Sequence, residues 1–183
     1  DVYGATVSKD TISRITDKVV GLSAFGLGMA MAVGGVGGLI GSLAATRLGA
    51  RFGAGRVVVA ARAGTGAAWV LVALSTPHWM GWALFAGAQL LVGLSMGAEN
   101  ANEMGYWQAV TPDALQARTN ATRRSINRAM IVLGAPVGGF LADALAYRAM
   151  LYTAAAGFLI VSATLAASRF RTARIDDATA PQK

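Results

Sequence analysis

The chain has 183 residues, 55% of them hydrophobic and only 14% charged, with a net charge of +7. A soluble domain of this size carries charge on about a quarter of its residues, so the deficit points to a membrane protein. Cysteine is absent and His78 stands alone, which excludes disulfides, thiol nucleophiles and Cys- or His-cluster metal sites.

Residues 1–20 are polar, with three acids and three bases and no apolar core of the kind a signal peptide needs. They form an extramembrane segment. The chain starts at Asp1 rather than Met, which leads to the expectation of a fragment or a processed product. The first long apolar run, 22–46, has no charge and is long enough to cross roughly 30 Å of hydrocarbon. The second, 57–76, carries only Arg62. The third, 80–107, carries Glu99 and Glu103 in its last third. The fourth, 129–147, contains Pro136 and Asp143, and the fifth, 149–168, carries no charge. The composition therefore predicts an all-α polytopic membrane bundle of five transmembrane helices, with 169–183 as a cytoplasmic tail. A soluble protein with buried helices would show one polar stripe per helix, and the first and fifth runs are apolar all round.

The basic residues fix the orientation. Arg47, Arg51 and Arg56 follow the first run; Arg118, Arg123, Arg124 and Arg128 follow the third; Arg169, Arg171 and Arg174 follow the fifth. The link STPHWMG has no Lys or Arg, and the turn after the fourth run has only Arg148. Positive charge thus alternates sides, which places the N-terminus outside and the C-terminus inside. Trp79 and Trp82 at one end of the third run, and Tyr106 and Trp107 at the other, read as interfacial belts, with ordinary packing as the alternative. The basic links are short and carry no interleaved stacking platform, so nucleic acid is not the expected partner. The expected partner is the lipid bilayer.

Gly34 with Gly38, and Gly37 with Gly41, are spaced four apart, as are Gly93 with Gly97 and Gly134 with Gly138. Such spacing lets helix backbones approach closely in lipid. It gives the first run a packing surface whose partner is expected outside so short a chain. In the third run, Glu99, Asn102, Glu103 and Tyr106 share a helix face, with Asn100 beside them. Carboxylates in lipid are costly, so this face should turn toward protein or a water-filled cavity. Two readings stand. One is a substrate or proton pathway; the other is a lock in which Glu99 and Glu103 pair with arginines at the cytoplasmic end. Arg62 is the natural partner, unless it snorkels to the interface. Asn127 and Arg128 are further candidates, and Asp143 with Arg148 reads as an end-of-helix ion pair. No nucleophile–base set and no phosphate-cradling loop can be assembled, so no enzyme and no cofactor are expected.

From about residue 21 onward, three stretches resemble the C-terminal half of a major facilitator superfamily transporter, in its drug- and siderophore-exporting branch. They are TRLGARFGAGR, VTPDALQARTNATRRSINRA and GAPVGGFLADALAYR. Arg47 and Gly49 fall on the family's Asp-Arg-x-Gly-Arg pattern, with Arg51 just beyond it. Thr46 stands where the family has Asp, which removes the carboxylate of its gating salt bridge. The resemblance implies that the five runs are helices eight to twelve, and that the chain is truncated. It implies a partner in the missing N-terminal half or in another copy, and a parent that exports small amphipathic compounds in exchange for protons across a bacterial inner membrane. Residues 1–20 resemble part of the helix-turn-helix region of a mutator-type insertion-sequence transposase, with Lys9, Thr11, Ser13 and Arg14 on the exposed face; the alternative is an amphipathic outer helix with Ile12, Ile15 and Val19 on the membrane surface. That suggests a junction near 20–21. Three functions follow: a truncated transporter, a non-transporting membrane relic or fusion product, and a DNA-binding segment tethered to a membrane.

Overall fold

The structure, a computed structural model, describes residues 24–76, 78–144 and 147–174. Residues 1–20, with their transposase-like and DNA-binding reading, lie outside the described residues. Five helices follow in order: α1 Ala24–Phe52, α2 Ala54–Leu74, α3 Trp79–Val110, α4 Asp113–Ala144 and α5 Tyr147–Ala167, with a 3-10 turn at Arg169–Thr172. The chain is an all-α membrane helical bundle. α1, α2, α3 and α5 are each long and apolar enough to cross a bilayer. In α4 the apolar stretch begins only near 129, so roughly 24 Å of it is oily before the described helix ends at Ala144.

The helices outrun the apolar runs at their basic ends. α1 continues through Arg47–Phe52, because arginine is a good helix former and can carry its guanidinium out along an aliphatic stem. It stops at Gly53, whose φ of 87° is a left-handed conformation that favours glycine. α2 starts one residue later, so the expected loop over 47–56 shrinks to a single residue. α3 ends at Thr111, which is extended because it precedes Pro112. α4 then begins at Asp113, an acid suited to a helix N-terminus. The expected connector 108–128 is therefore helix on both sides of a two-residue turn.

α3 is the central element. α1 lies along one side of it and α2 along another, and α2 also packs on α5. The α1–α3 crossing is built on glycine. A Cβ on Gly37 would run into the carbonyl of Leu90, one on Gly41 into that of Leu94, one on Gly93 into that of Gly34, and one on Gly97 into that of Gly38. The partner of the first helix is thus α3 of the same chain. Gly134 and Gly138, by contrast, meet no described atom within 4 Å, because α4 packs little of its apolar half against the rest. The apolar core joins Ala68, Val72 and Ala73 of α2, Ala88 of α3 and Leu151 of α5.

Chain direction alternates as a serpentine path requires. At one end the 3-10 turn reaches the α1–α2 turn: the Gly55 amide donates to the Ala173 carbonyl at 3.1 Å, and the Phe170 carbonyl occupies the space a Gly55 side chain would need. At the other end, Arg148 Nη2 donates to the Ser75 carbonyl at 3.4 Å, and Gly26 makes room for the Trp82 ring.

Candidate functional site: an ion-pair relay across three helices

Near the basic end, α2, α3 and α4 converge on a polar cavity of about 540 Å³. Arg62 sits two turns into α2 and points at α3. Its Nη2 lies 2.6 Å from Glu99 Oε1 and 3.8 Å from Glu103 Oε2. Its Nε is buried without a hydrogen-bond partner among the described residues. Glu103 is held from the other side by Arg123 of α4, with Nη2 to Oε1 at 2.6 Å. Arg123 also lies over the Trp107 ring, 5.0 Å from its centroid. The relay Glu99–Arg62–Glu103–Arg123 is neutral as a whole. Glu99 is its buried end, 8% exposed, while Arg62, Glu103 and Arg123 are partly open to the cavity.

Helix registry explains the relay. Glu99 and Glu103 are one turn apart on α3 and so stack on one stripe. α3 and α4 form a hairpin about Thr111–Pro112. Arg123, ten residues after Asp113, returns to the level of Glu103, seven before Val110. Arg123 was absent from the expected site because residues 108–128 read as a connector, and only the Pro112–Asp113 helix start signals otherwise.

The other expected site residues divide. Asn100 and Asn127 line the cavity, together with Asn120 and Arg124, which sequence reasoning left out. Asn102 does not face it. It is buried against α1, where its Nδ2 donates to the carbonyls of Ala45 at 3.1 Å and Ala98 at 2.9 Å. Tyr106 does not face it either; its ring meets that of Phe170 edge-on at 5.6 Å. Asn102 and Tyr106 thus sit at helix-packing contacts, outside the cavity lining. Arg47 and Arg128 are exposed and have no ionic partner among the described residues. Arg51 lies over its neighbour Phe52, 5.3 Å from the ring centroid. The side chain of Asp143 lies outside the described residues, and with it the expected pair with Arg148.

The arrangement can do two things chemically. It ties three helices together by charge in a medium where unpaired charge is costly. It can also exchange partners, since Arg62 is within reach of both carboxylates and Glu103 is within reach of both arginines.

A family model of the Major Facilitator Superfamily matches residues 9–183. The match takes in residues 9–20, the larger part of the segment that resembles a transposase fragment. Comparison with curated proteins and with solved structures gives no match. The chain belongs to the major facilitator superfamily.

Proposed function

We propose that this member of the major facilitator superfamily supplies helices to a proton-coupled exporter of small amphipathic compounds, and that the Glu99–Arg62–Glu103–Arg123 relay is its switchable cytoplasmic lock. The observation that carries the reading is the sharing of Arg62 between two carboxylates at 2.6 and 3.8 Å, beside a cavity of about 540 Å³. Protonating Glu103 releases Arg123 toward the cavity and loosens α4 from α3, while Arg62 stays paired with Glu99. Amphipathic cargo suits a polar cavity set among apolar helices. In this reading the arginine-rich ends face the cytoplasm across a bacterial inner membrane, with the C-terminus inside.

The partner in this reading is the other half of a transporter, or a second copy of the chain. α4 turns Met130, Val137 and Phe140 away from the rest of the bundle, and its open Gly134 and Gly138 suit a close helix crossing. A junction with an insertion element would have to fall before residue 9 to agree with the family match.

Efflux of an amphipathic dye from cells expressing the chain, alone and with a candidate N-terminal half, tests the proposal. Dye efflux that stops when the proton gradient is collapsed and is lost in Glu99→Gln supports it. Efflux indistinguishable from empty cells in both conditions rejects it in favour of a non-transporting membrane protein.

A further inference from the structure

A second cavity lies on the opposite flank of α3. α1 and α2 each follow their own face of α3 and touch each other little, although a single residue joins them. The result is an apolar groove of about 440 Å³ between them. Leu48 and Phe52 of α1 form one wall, Ala60 of α2 the other, and Leu94 and Ala98 of α3 the floor. The groove is open, since Phe52 and Ala60 are both exposed. Its lining is apolar apart from Ser95 and one cation, Arg56, at the end nearest the Gly53 turn. Arg51 lies over the Phe52 ring that forms the wall. The Arg174 stem crosses Gly53, with its Cγ 3.3 Å and its Nε 3.8 Å from where a Cβ would stand. Three guanidinium groups thus surround one turn, and none has a carboxylate within salt-bridge distance among the described residues.

We infer that this groove holds an acyl chain of an anionic phospholipid whose phosphate sits among Arg51, Arg56 and Arg174. The walls belong to helices that cross the membrane, so the groove opens into hydrocarbon, where a lipid tail covers it and water gains nothing. The three clustered cations repel one another until an anion joins them. A phosphate presents oxygens that a guanidinium binds in a two-pronged fashion, and a zwitterionic headgroup offsets that charge with its own. Basic pockets between helices on the cytoplasmic side bind anionic headgroups by this chemistry. The inference rests on the membrane-spanning fold and stands whether or not the chain transports anything.

Native mass spectrometry of the full chain in mild detergent, with added dioleoylphosphatidylglycerol or dioleoylphosphatidylcholine, is the test. Phosphatidylglycerol should be retained at least about tenfold over phosphatidylcholine, and Arg56→Gln should cut its retention about fivefold. Arg56→Lys should keep part of it. Ala60→Phe fills the groove from an exposed position and should abolish retention of both lipids. Arg118→Gln, on α4 and outside the groove lining, should change nothing. Equal retention of the two lipids overturns the inference. So does retention that survives Ala60→Phe, or an Arg118→Gln effect as large as that of Arg56→Gln, which would mean diffuse surface attraction.

Discussion

Asn102 of α3 donates its side-chain amide to the carbonyl of Ala45 of α1, 3.1 Å away, across a crossing that glycines keep close. The same nitrogen donates to Ala98 of its own helix, so both amide hydrogens are used. A Cβ on Gly49 would run into Asn102 Oδ1, so α1 is shaped around this side chain.

Replacing Asn102 by Leu keeps the branched shape of the side chain and removes both hydrogen bonds. Hydrogen bonds between membrane helices contribute about 1 kcal/mol. We expect the thermal unfolding midpoint in detergent to fall by a few degrees, with helix content unchanged. Asn102→Asp should be worse, because it buries a charge without a cation beside it. A midpoint equal to that of the parent in both variants would show that the bond is incidental.

The glycine spacing separates close packing from bare composition. Gly37→Ala puts a methyl into the Leu90 carbonyl and within 3.1 Å of the Leu94 amide, both backbone atoms that cannot rotate away. Overpacking of this kind costs about 1–3 kcal/mol. Gly134→Ala meets open space among the described residues. The same substitution should thus destabilise at 37 and be neutral or slightly stabilising at 134, by thermal unfolding of the chain alone. If a partner helix covers α4, Gly134→Ala should instead weaken association with that partner.

The contrast between 37 and 134 also marks what a single sequence can reveal. Small residues four apart announce a close crossing, but not which helix crosses. The Arg62–Glu99 pairing was legible because two lone opposite charges in apolar runs have few other ways to be satisfied. Arg123 was hidden, since a basic helix and a basic connector have the same composition, and its reach depends on where α4 starts. Asn102 parts from Glu99 and Glu103 for a geometric reason. Residues 99, 102, 103 and 106 spread over about 100° of arc, wide enough for α1 to take one edge and the cavity the other. The groove between α1 and α2 follows from the one-residue turn at Gly53, and the apolar runs alone suggested a longer loop.

The hold of Arg123 on Glu103 should be visible in α4 itself. Arg123→Gln removes a contact of 2.6 Å and leaves Glu103 with Arg62 alone at 3.8 Å. Both partners are partly exposed, so the loss is closer to about 1 kcal/mol than to the cost of a fully buried pair. Backbone hydrogen exchange over 113–123 should quicken about fivefold, with α1 unaffected. The exchanged pair Glu103→Arg with Arg123→Glu should recover part of the protection but leave Arg62 to compete with the new arginine for Glu99. Protection equal to the parent's in both variants would sever α4 from the relay.

The 3-10 turn should loosen together with the α1–α2 turn. The Phe170 carbonyl occupies the place of a Gly55 side chain, and Ala173 accepts the Gly55 amide at 3.1 Å. Gly55→Val forces that carbonyl away, which costs the amide bond and the Tyr106–Phe170 ring contact. The exposed Arg169 and Arg171 should then be cut by trypsin several times faster in detergent. Tyr106→Ala removes the ring contact alone and should have a smaller effect in the same direction. The ordering is the sharp part of this prediction. If Tyr106→Ala exposes the arginines more than Gly55→Val does, the turn is held by its aromatic contact and not by the glycine backbone.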